Sequence, residues 1–219
     1  TPKKIISWNI QELFIYTKIS KVNNIIDYIK NFDADVICLQ EVFEDTTRNT
    51  ILERCKCVYP YHLKSKTIKK FFLGENSGLL VLSKLPIKFH KEVLLKGLCL
   101  PDSLSNKSIL YFSIGKLNFS TTHLQSMYEN VSESQINDII IYSPFNKFIL
   151  TGDLNNTYVT NILGIAKNNI NNTCENRVID YILPINHQDL EITTKVLNID
   201  LNNTSDHYPI SATLNELFT

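Results

Sequence analysis

The feature that most constrains the fold is a recurring unit. A short apolar run, long enough for a strand and too short for a buried helix, ends in a residue able to bind metal or phosphate. Ile5-Ile6-Ser7-Trp8 ends at Asn9, and Asp35 to Gln40 runs into Glu41. Leu117 to Thr122 runs into His123-Leu124-Gln125, and Phe148 to Thr151 into Gly152-Asp153-Leu154-Asn155. Such runs, bounded by polar residues, read as buried strands. Further strands are expected at Gly78 to Ser83, Lys88 to Leu95, Ser108 to Ile114, Arg177 to Leu183 and Tyr208 to Ala212. Three stretches read as helices: Ser20 to Lys30, Asp45 to Arg54 and Ser132 to Ile141. In the first, Val22, Ile25, Ile26 and Ile29 share one face, and Ser20 is the expected N-cap. Strands outnumber helices, and the helices are interspersed. That pattern predicts an α/β layered sandwich rather than a doubly wound sheet, which needs strict alternation. No repeat or linker divides residues 1–219, and Asn168 to Asn172 is the one low-complexity stretch, so a single domain is expected.

Charge then narrows the partners. Lys and Arg number 22, Asp and Glu 22, so the formal net charge is zero. Binding along a nucleic-acid polyanion draws on clustered cations, and a domain built for it is usually basic. A neutral chain that acts on a phosphodiester must neutralise charge locally. With 43% hydrophobic residues the chain is too apolar to be disordered. The five cysteines form no C-x-x-C pair, so neither a disulfide framework nor a structural zinc site is expected, and reduced thiols suit a cytoplasmic setting by default. The chain starts at Thr1 without a signal peptide, which leaves secretion open. No apolar run approaches the roughly 20 residues of a membrane span.

Strands that all end at one rim would gather their terminal polar residues in one cleft. Each motif alone is weak: an Asp after Gly is most often a turn residue, and a strand-end Glu is usually a solvated cap. Asp180, read inside the apolar run Val178 to Ile182, says more, because a buried carboxylate needs a partner. His207 is a candidate partner, and an Asp behind a His fixes its tautomer. A plain core ion pair would explain these two residues but not Asn9, Glu41, His123, Asp153 and Asn155. The set suits metal-assisted hydrolysis of a phosphate ester. Glu41 is a hard oxygen ligand for Mg²⁺. Asn9 and Asn155 supply amides, His123 and His207 supply N–H donors, and Asp153 is placed to align or deprotonate water.

These motifs, taken in order from Trp8-Asn9-Ile10 to Ser205-Asp206-His207, resemble the DNase I-like endonuclease/exonuclease/phosphatase superfamily. The resemblance covers nearly the whole chain and implies a four-layer αββα sandwich with Mg²⁺-dependent catalysis, Mn²⁺ being the alternative ion. Within the superfamily the chain is most similar to neutral sphingomyelinases. Leu39-Gln40-Glu41-Val42-Phe43, Tyr59-Pro60-Tyr61, Ser83-Lys84-Leu85-Pro86-Ile87, His123-Leu124-Gln125 and Ser205-Asp206-His207-Tyr208-Pro209 carry that likeness. So does Asp102-Ser103-Leu104-Ser105-Asn106-Lys107, which resembles a phosphate-side loop.

The resemblance implies that Glu41 binds the metal with Asn9 and Asp206. It implies that His123 and Asn155 stabilise the pentacoordinate phosphate and that Asp153 orients the attacking water. Asp180 would hold His207, and Lys107 would meet the phosphate with Asp102 as its partner. Members of the superfamily differ on whether the last His or the Asp of G-D-x-N takes the proton. The implied substrate is a phospholipid headgroup or other small phosphodiester, reached by a monomer through peripheral membrane contact. A DNA repair or degradative nuclease and a sugar- or inositol-phosphate phosphatase are the alternatives. The chain departs from its relatives in the short stretch from Asp153 to Asp180 and in Gln11, where nucleases often carry an acid. Lys64 to Phe72 reads either as a loop touching headgroups or nucleic acid, or as a strand edge protected by lysines.

Overall fold

The computed structural model describes residues 1–12, 18–66, 68–70, 73–97, 99–100, 102, 105–166 and 170–217; side chains of 68–70 and 73–75 lie outside that description. The elements run β1 (Lys4–Glu12), α1 (Ile19–Asn31), β2 (Val36–Val42), α2 (Asp45–Cys55), β3 (Tyr61–Lys64), β4 (Ile68–Lys70), β5 (Leu73–Glu75), β6 (Leu80–Ser83) and β7 (Ile87–Leu94). They continue with β8 (Ser108–Ile114), β9 (Leu117–His123), α3 (Glu129–Ile141), β10 (Phe148–Asp153), α4 (Val159–Ile162), β11 (Asp180–Ile185), β12 (Leu190–Val196), a 3-10 turn (Leu201–Asn203) and β13 (Ile210–Glu216).

One sheet has the order β12-β13-β1-β2-β6-β3, the other β11-β10-β9-β8-β7. Side-chain alternation sorts the apolar residues into three layers. Ile6, Trp8, Ile10, Ile37 and Leu39 face α1, packing on Ile25, Ile26 and Ile29. Ile5, Val36, Cys38, Phe119, Ile149, Ile182 and Ala212 fill the space between the sheets. Tyr111, Phe148, Leu150 and Leu183 pack with Ile136 and Ile139 of α3. The result is the expected αββα sandwich. Trp8 anchors the first layer, with edge contacts at 6.3 Å to Tyr28 and 5.8 Å to Phe32. Each such contact adds about 0.5–1.5 kcal/mol beyond area burial.

Strand direction places the site. β1 pairs with β2 in parallel, and β9 with β10 in parallel. Their carboxyl ends, with the start of β11 at Asp180, meet at one rim. The Ser205–His207 turn closes that rim, because Ser205 Oγ donates to the Asn9 carbonyl at 2.6 Å and Trp8 Nε1 to the His207 carbonyl at 2.9 Å.

Several boundaries differ from the sequence expectation. Ser20 does not cap α1: the helix begins two residues earlier on the Lys18 carbonyl, which accepts from Lys21 N and Val22 N. Asp180 opens β11 rather than lying inside it, since the ladder with β10 stops at the Asp153–Asp180 pair. β13 starts at Ile210, after Pro209, which has no N–H to donate. β3, β12 and α4 gave no clear apolar signal; β12 (Leu-Glu-Ile-Thr-Thr-Lys-Val) alternates as a half-exposed edge strand. In the Lys64 to Phe72 stretch, Lys64 ends edge strand β3 and β4 pairs with β5, while Phe71, Phe72 and the Lys69 and Lys70 side chains lie outside the described residues. Ser103, Leu104, Asn168 and Asn169 lie outside them too. No described helix is long and apolar enough to cross a membrane.

Candidate active site

Alternation along β1 aims Ile5, Ser7 and Asn9 between the sheets, and along β10 it aims Ile149, Thr151 and Asp153 the same way. Asn9 and Asp153 therefore meet across the sandwich, with Asn9 Nδ2 donating to Asp153 Oδ2 at 3.0 Å. Glu41 should by parity point at the helices with Ile37 and Leu39. Its backbone has φ +58°, beside a register shift between β1 and β2, and that bulge turns the side chain inward. Its Oε1 then accepts from the same Asn9 Nδ2 at 2.9 Å. The Asn9 amide is fixed in turn, because its Oδ1 accepts from Gln11 N at 2.9 Å.

Neighbouring elements hold this bulge. Val42 N donates to the Gly78 carbonyl at 2.8 Å, and buried Arg48 on α2 donates Nη2 to the Val42 carbonyl at 2.8 Å. Gly78 has φ +66°, and a Cβ there would lie 2.9 Å from the Phe43 ring and 3.1 Å from Glu41 Cα. Gly152 does the same for the second sheet, where a Cβ would lie 2.0 Å from the Thr122 carbonyl oxygen.

Four further residues surround the carboxylates. His123 Nε2 is 3.7 Å from Glu41 Oε1 and 3.6 Å from Asp153 Oδ2, beyond hydrogen-bond range. His207 Nε2 is 3.7 Å from Asp153 Oδ2, while its Nδ1 donates to Asp180 Oδ2 at 2.8 Å. Asp206 Oδ1 is 3.8 Å from His207 Nε2, on a side chain half exposed at the rim. Asn155, at φ +48°, donates its backbone N–H to Asp153 Oδ1 at 3.0 Å and Nδ2 to the Leu124 carbonyl at 3.1 Å.

Burial governs the electrostatics. It raises Glu41, against the Asn9 hydrogen bond that lowers it. Burial, with the nearby charge of Asp180, pushes Asp153 up to about 7. Burial takes His123 well below the usual histidine range, which keeps it neutral. At His207 burial opposes the charge, but the Asp180 carboxylate overrides it and pushes the ring up to about 12.

Lys107 and Asp102 form the pair expected of them, at 3.0 Å, and the lysine is 1% exposed. Its Nζ also donates to the Leu124 carbonyl at 3.1 Å, and its charge reaches both Glu41 and His123. All ten candidate residues thus lie at or behind one rim. Sequence reasoning gave no role to the residues that support them. Gln125 Nε2, Ser126 N and Ser126 Oγ all donate to Asp102 Oδ2, at 2.8, 2.6 and 2.7 Å. Thr173 Oγ1 accepts from the Ile179 and Asp180 N–H groups at 3.1 and 3.2 Å. Gln125 and Ser205 stood inside recognised motifs; Thr173 sits in an Asn-rich stretch that gave no signal.

Known proteins resemble this chain in sequence and in fold. Sphingomyelinase C 2 of Leptospira interrogans is 32% identical over 158 residues, covering 59% of this chain and 25% of that protein. Sphingomyelinase C of Bacillus cereus is 32% identical over 116 residues, covering 46% of this chain and 34% of that protein. The chain thus spans a quarter to a third of these relatives' length. Among solved structures, sphingomyelinase C from Streptomyces griseocarneus superposes with TM-score 0.80 at 18% identity, over 98% of this chain and 100% of that one. A Staphylococcus aureus beta toxin variant with bound magnesium ions gives 0.78 at 20% identity, over 97% and 99%. These structural likenesses establish the fold. The profile of the endonuclease/exonuclease/phosphatase family matches residues 6–207, from β1 to the histidine that Asp180 holds, and the chain belongs to that family.

Proposed function

We propose that the chain is a single-domain, divalent-metal-dependent phosphodiesterase that acts on choline phospholipid as a sphingomyelinase-type phospholipase C. The observation that carries the reading is the Asn9 amide bridging the partly buried Glu41 carboxylate and the buried Asp153 carboxylate, between His123 and the Asp180–His207 pair. The sphingomyelinase relatives and the zero net charge favour a small headgroup over a long polyanion.

The donor set fits a hard divalent cation. Glu41 offers carboxylate oxygens, Asp206 adds negative charge at the rim, and Asn9 would present Oδ1 once its amide turns from Gln11 N. Burial raises Glu41 and, together with the Asp180 charge, Asp153. Mg²⁺ bound there would polarise the phosphoryl oxygen and stabilise the leaving oxygen. The protein groups do the rest. His123 and Asn155 direct N–H groups at the phosphoryl oxygens as they gain charge. Asp153 orients the attacking water, and proton transfer runs through the Asp153–His207 pair, whose ring Asp180 fixes. Lys107, held by Asp102, adds positive potential from behind His123.

A side-by-side assay of sphingomyelin and nicked or abasic DNA, with and without Mg²⁺, tests the reading. Phosphocholine release only with Mg²⁺, lost in Glu41→Ala, is expected. Cleavage of DNA without phosphocholine release would replace the lipid assignment by the nuclease one.

A further inference from the structure

Beside His207 lies a second donor set of a different chemical kind. Cys174 Sγ, a carboxylate oxygen of Asp206 and a ring nitrogen of His207 fall within 4.8 Å of one another. The segments that carry them are tied together. Cys174 N donates to the Arg177 carbonyl at 3.2 Å, and Arg177 N donates back to the Cys174 carbonyl at 2.9 Å. Cys174 also forms a backbone bridge to His207, and Tyr208 N donates to the Thr173 carbonyl at 2.8 Å. The thiol is therefore held against the histidine by the backbone on both sides.

The His207 ring is already set as a metal-binding histidine is set. A carboxylate, Asp180, takes Nδ1 at 2.8 Å, which leaves Nε2 for a ligand, 3.8 Å from Asp206 Oδ1. Asp206 is 48% exposed and opens a path from solvent. Thiolate and imidazole are poor partners for Mg²⁺, which asks for oxygens in octahedral order, and good ones for Zn²⁺. Zn–S of about 2.3 Å and Zn–N of about 2.0 Å put tetrahedral ligand atoms roughly 3.5 Å apart. Asp206 Oδ1, 3.8 Å from Nε2, is already near that spacing, and Cys174 Sγ lies within 4.8 Å of a ligand atom of each. Three protein donors leave a fourth position open.

We propose that Cys174, Asp206 and His207 form a Zn²⁺ site, distinct from the Glu41–Asn9 site and sharing only Asp206 with it, whose occupation switches hydrolysis off. On binding, the Cys174 thiol and His207 Nε2 give up their protons to solvent, and Zn²⁺ takes both lone pairs. His207 then has no free nitrogen facing Asp153. The inhibitory consequence rests on the phosphodiesterase reading; the metal site does not.

The test titrates the purified chain with Zn²⁺ against a chromophoric chelator at saturating Mg²⁺, records the Co²⁺-substituted spectrum, and follows phosphodiester hydrolysis in parallel. One Zn²⁺ should bind the unmodified chain and Glu41→Ala alike. Cys174→Ser should weaken it by at least about 100-fold, the upper range for loss of even an outer partner, and should resist Zn²⁺ inhibition. Co²⁺ should show a sulfur charge-transfer band in the unmodified chain and none in Cys174→Ser. Unchanged affinity in Cys174→Ser, loss of affinity in Glu41→Ala, or a Co²⁺ spectrum without the sulfur band would each overturn the site. Should Cys174→Ser fail to fold, Asp206→Asn, altered at an exposed side chain, replaces it. Weaker Zn²⁺ binding there supports the site, and unchanged binding sinks it. A chain that binds Zn²⁺ through sulfur yet hydrolyses no phosphodiester would refute the proposed function and leave the zinc site standing.

Discussion

At His207 two opposing effects meet, and distance decides between them. Burial penalises the imidazolium, but Asp180 lies 2.8 Å from Nδ1 and is itself 1% exposed, so its charge is little screened. The charged ring wins, and it stays fixed in one orientation. Asp180→Asn keeps the shape and removes the charge. It should lower kcat by about 10²–10⁴-fold, with far-UV circular dichroism unchanged; a kcat within threefold of the parent would show that Asp180 is only structural. Burial outweighs threonine hydrogen bonds at Cys38 and nearby cations at Cys55, and both thiols rise to about 11. With the native fold intact, a thiol reagent at neutral pH should label the exposed Cys57 and leave both until the chain is unfolded. Peptide mapping of the labelled protein checks this, and early labelling of Cys38 would contradict the buried assignment.

At the scale of elements, the site depends on departures from regular strands. Asn9, His123 and Asp153 follow from alternation, and their motifs were legible because strand period and residue type agree. Glu41 faces the site only because its backbone leaves the strand conformation at φ +58°, something apolar periodicity does not encode. The Leu-Gln-Glu motif marked Glu41 as a candidate, while its geometry was not legible. The edge strands β3 and β12 were illegible for a related reason: half-exposed strands lack the continuous apolar run that marks the central ones. The capping of α1 was misread because a backbone carbonyl, not a hydroxyl, starts that helix. At Gly152, β9 leaves β10 no room for a side chain, because a Cβ there would lie 2.0 Å from the Thr122 carbonyl oxygen. Gly152→Ala should destabilise by about 3 kcal/mol or more, read as a lowered denaturation midpoint with loss of soluble yield. A midpoint equal to the parent's would mean the two strands can separate freely there.

For the molecule as a whole, the site is assembled from residues 9 to 207 and from both sheets, so whatever binds it stabilises the complete sandwich. Mg²⁺ at about 100 times its dissociation constant adds about 2.7 kcal/mol. For a chain of this size that should raise the thermal midpoint by roughly 5–10 °C. Differential scanning calorimetry with Mg²⁺ and with a chelator measures it. Glu41→Ala should abolish the difference, and a midpoint indifferent to Mg²⁺ in the parent would remove Glu41 and Asn9 as ligands. The fold class and the rim were legible at this scale because strand-end residues recur in order along the chain. The supporting shell was not, since Thr173 and Gln135 hold main-chain N–H groups and Ser126 holds the Asp102 carboxylate, partners set only by tertiary packing. The Asn9 amide has one more consequence. One of its hydrogens goes to Glu41 in its own sheet and the other to Asp153 in the opposite sheet. The two side-chain resonances of this single NH₂ group are therefore a built-in gauge for magnetic resonance. Any parting of the sheets would shift the Asp153-bonded signal, while the Glu41-bonded one serves as its internal reference.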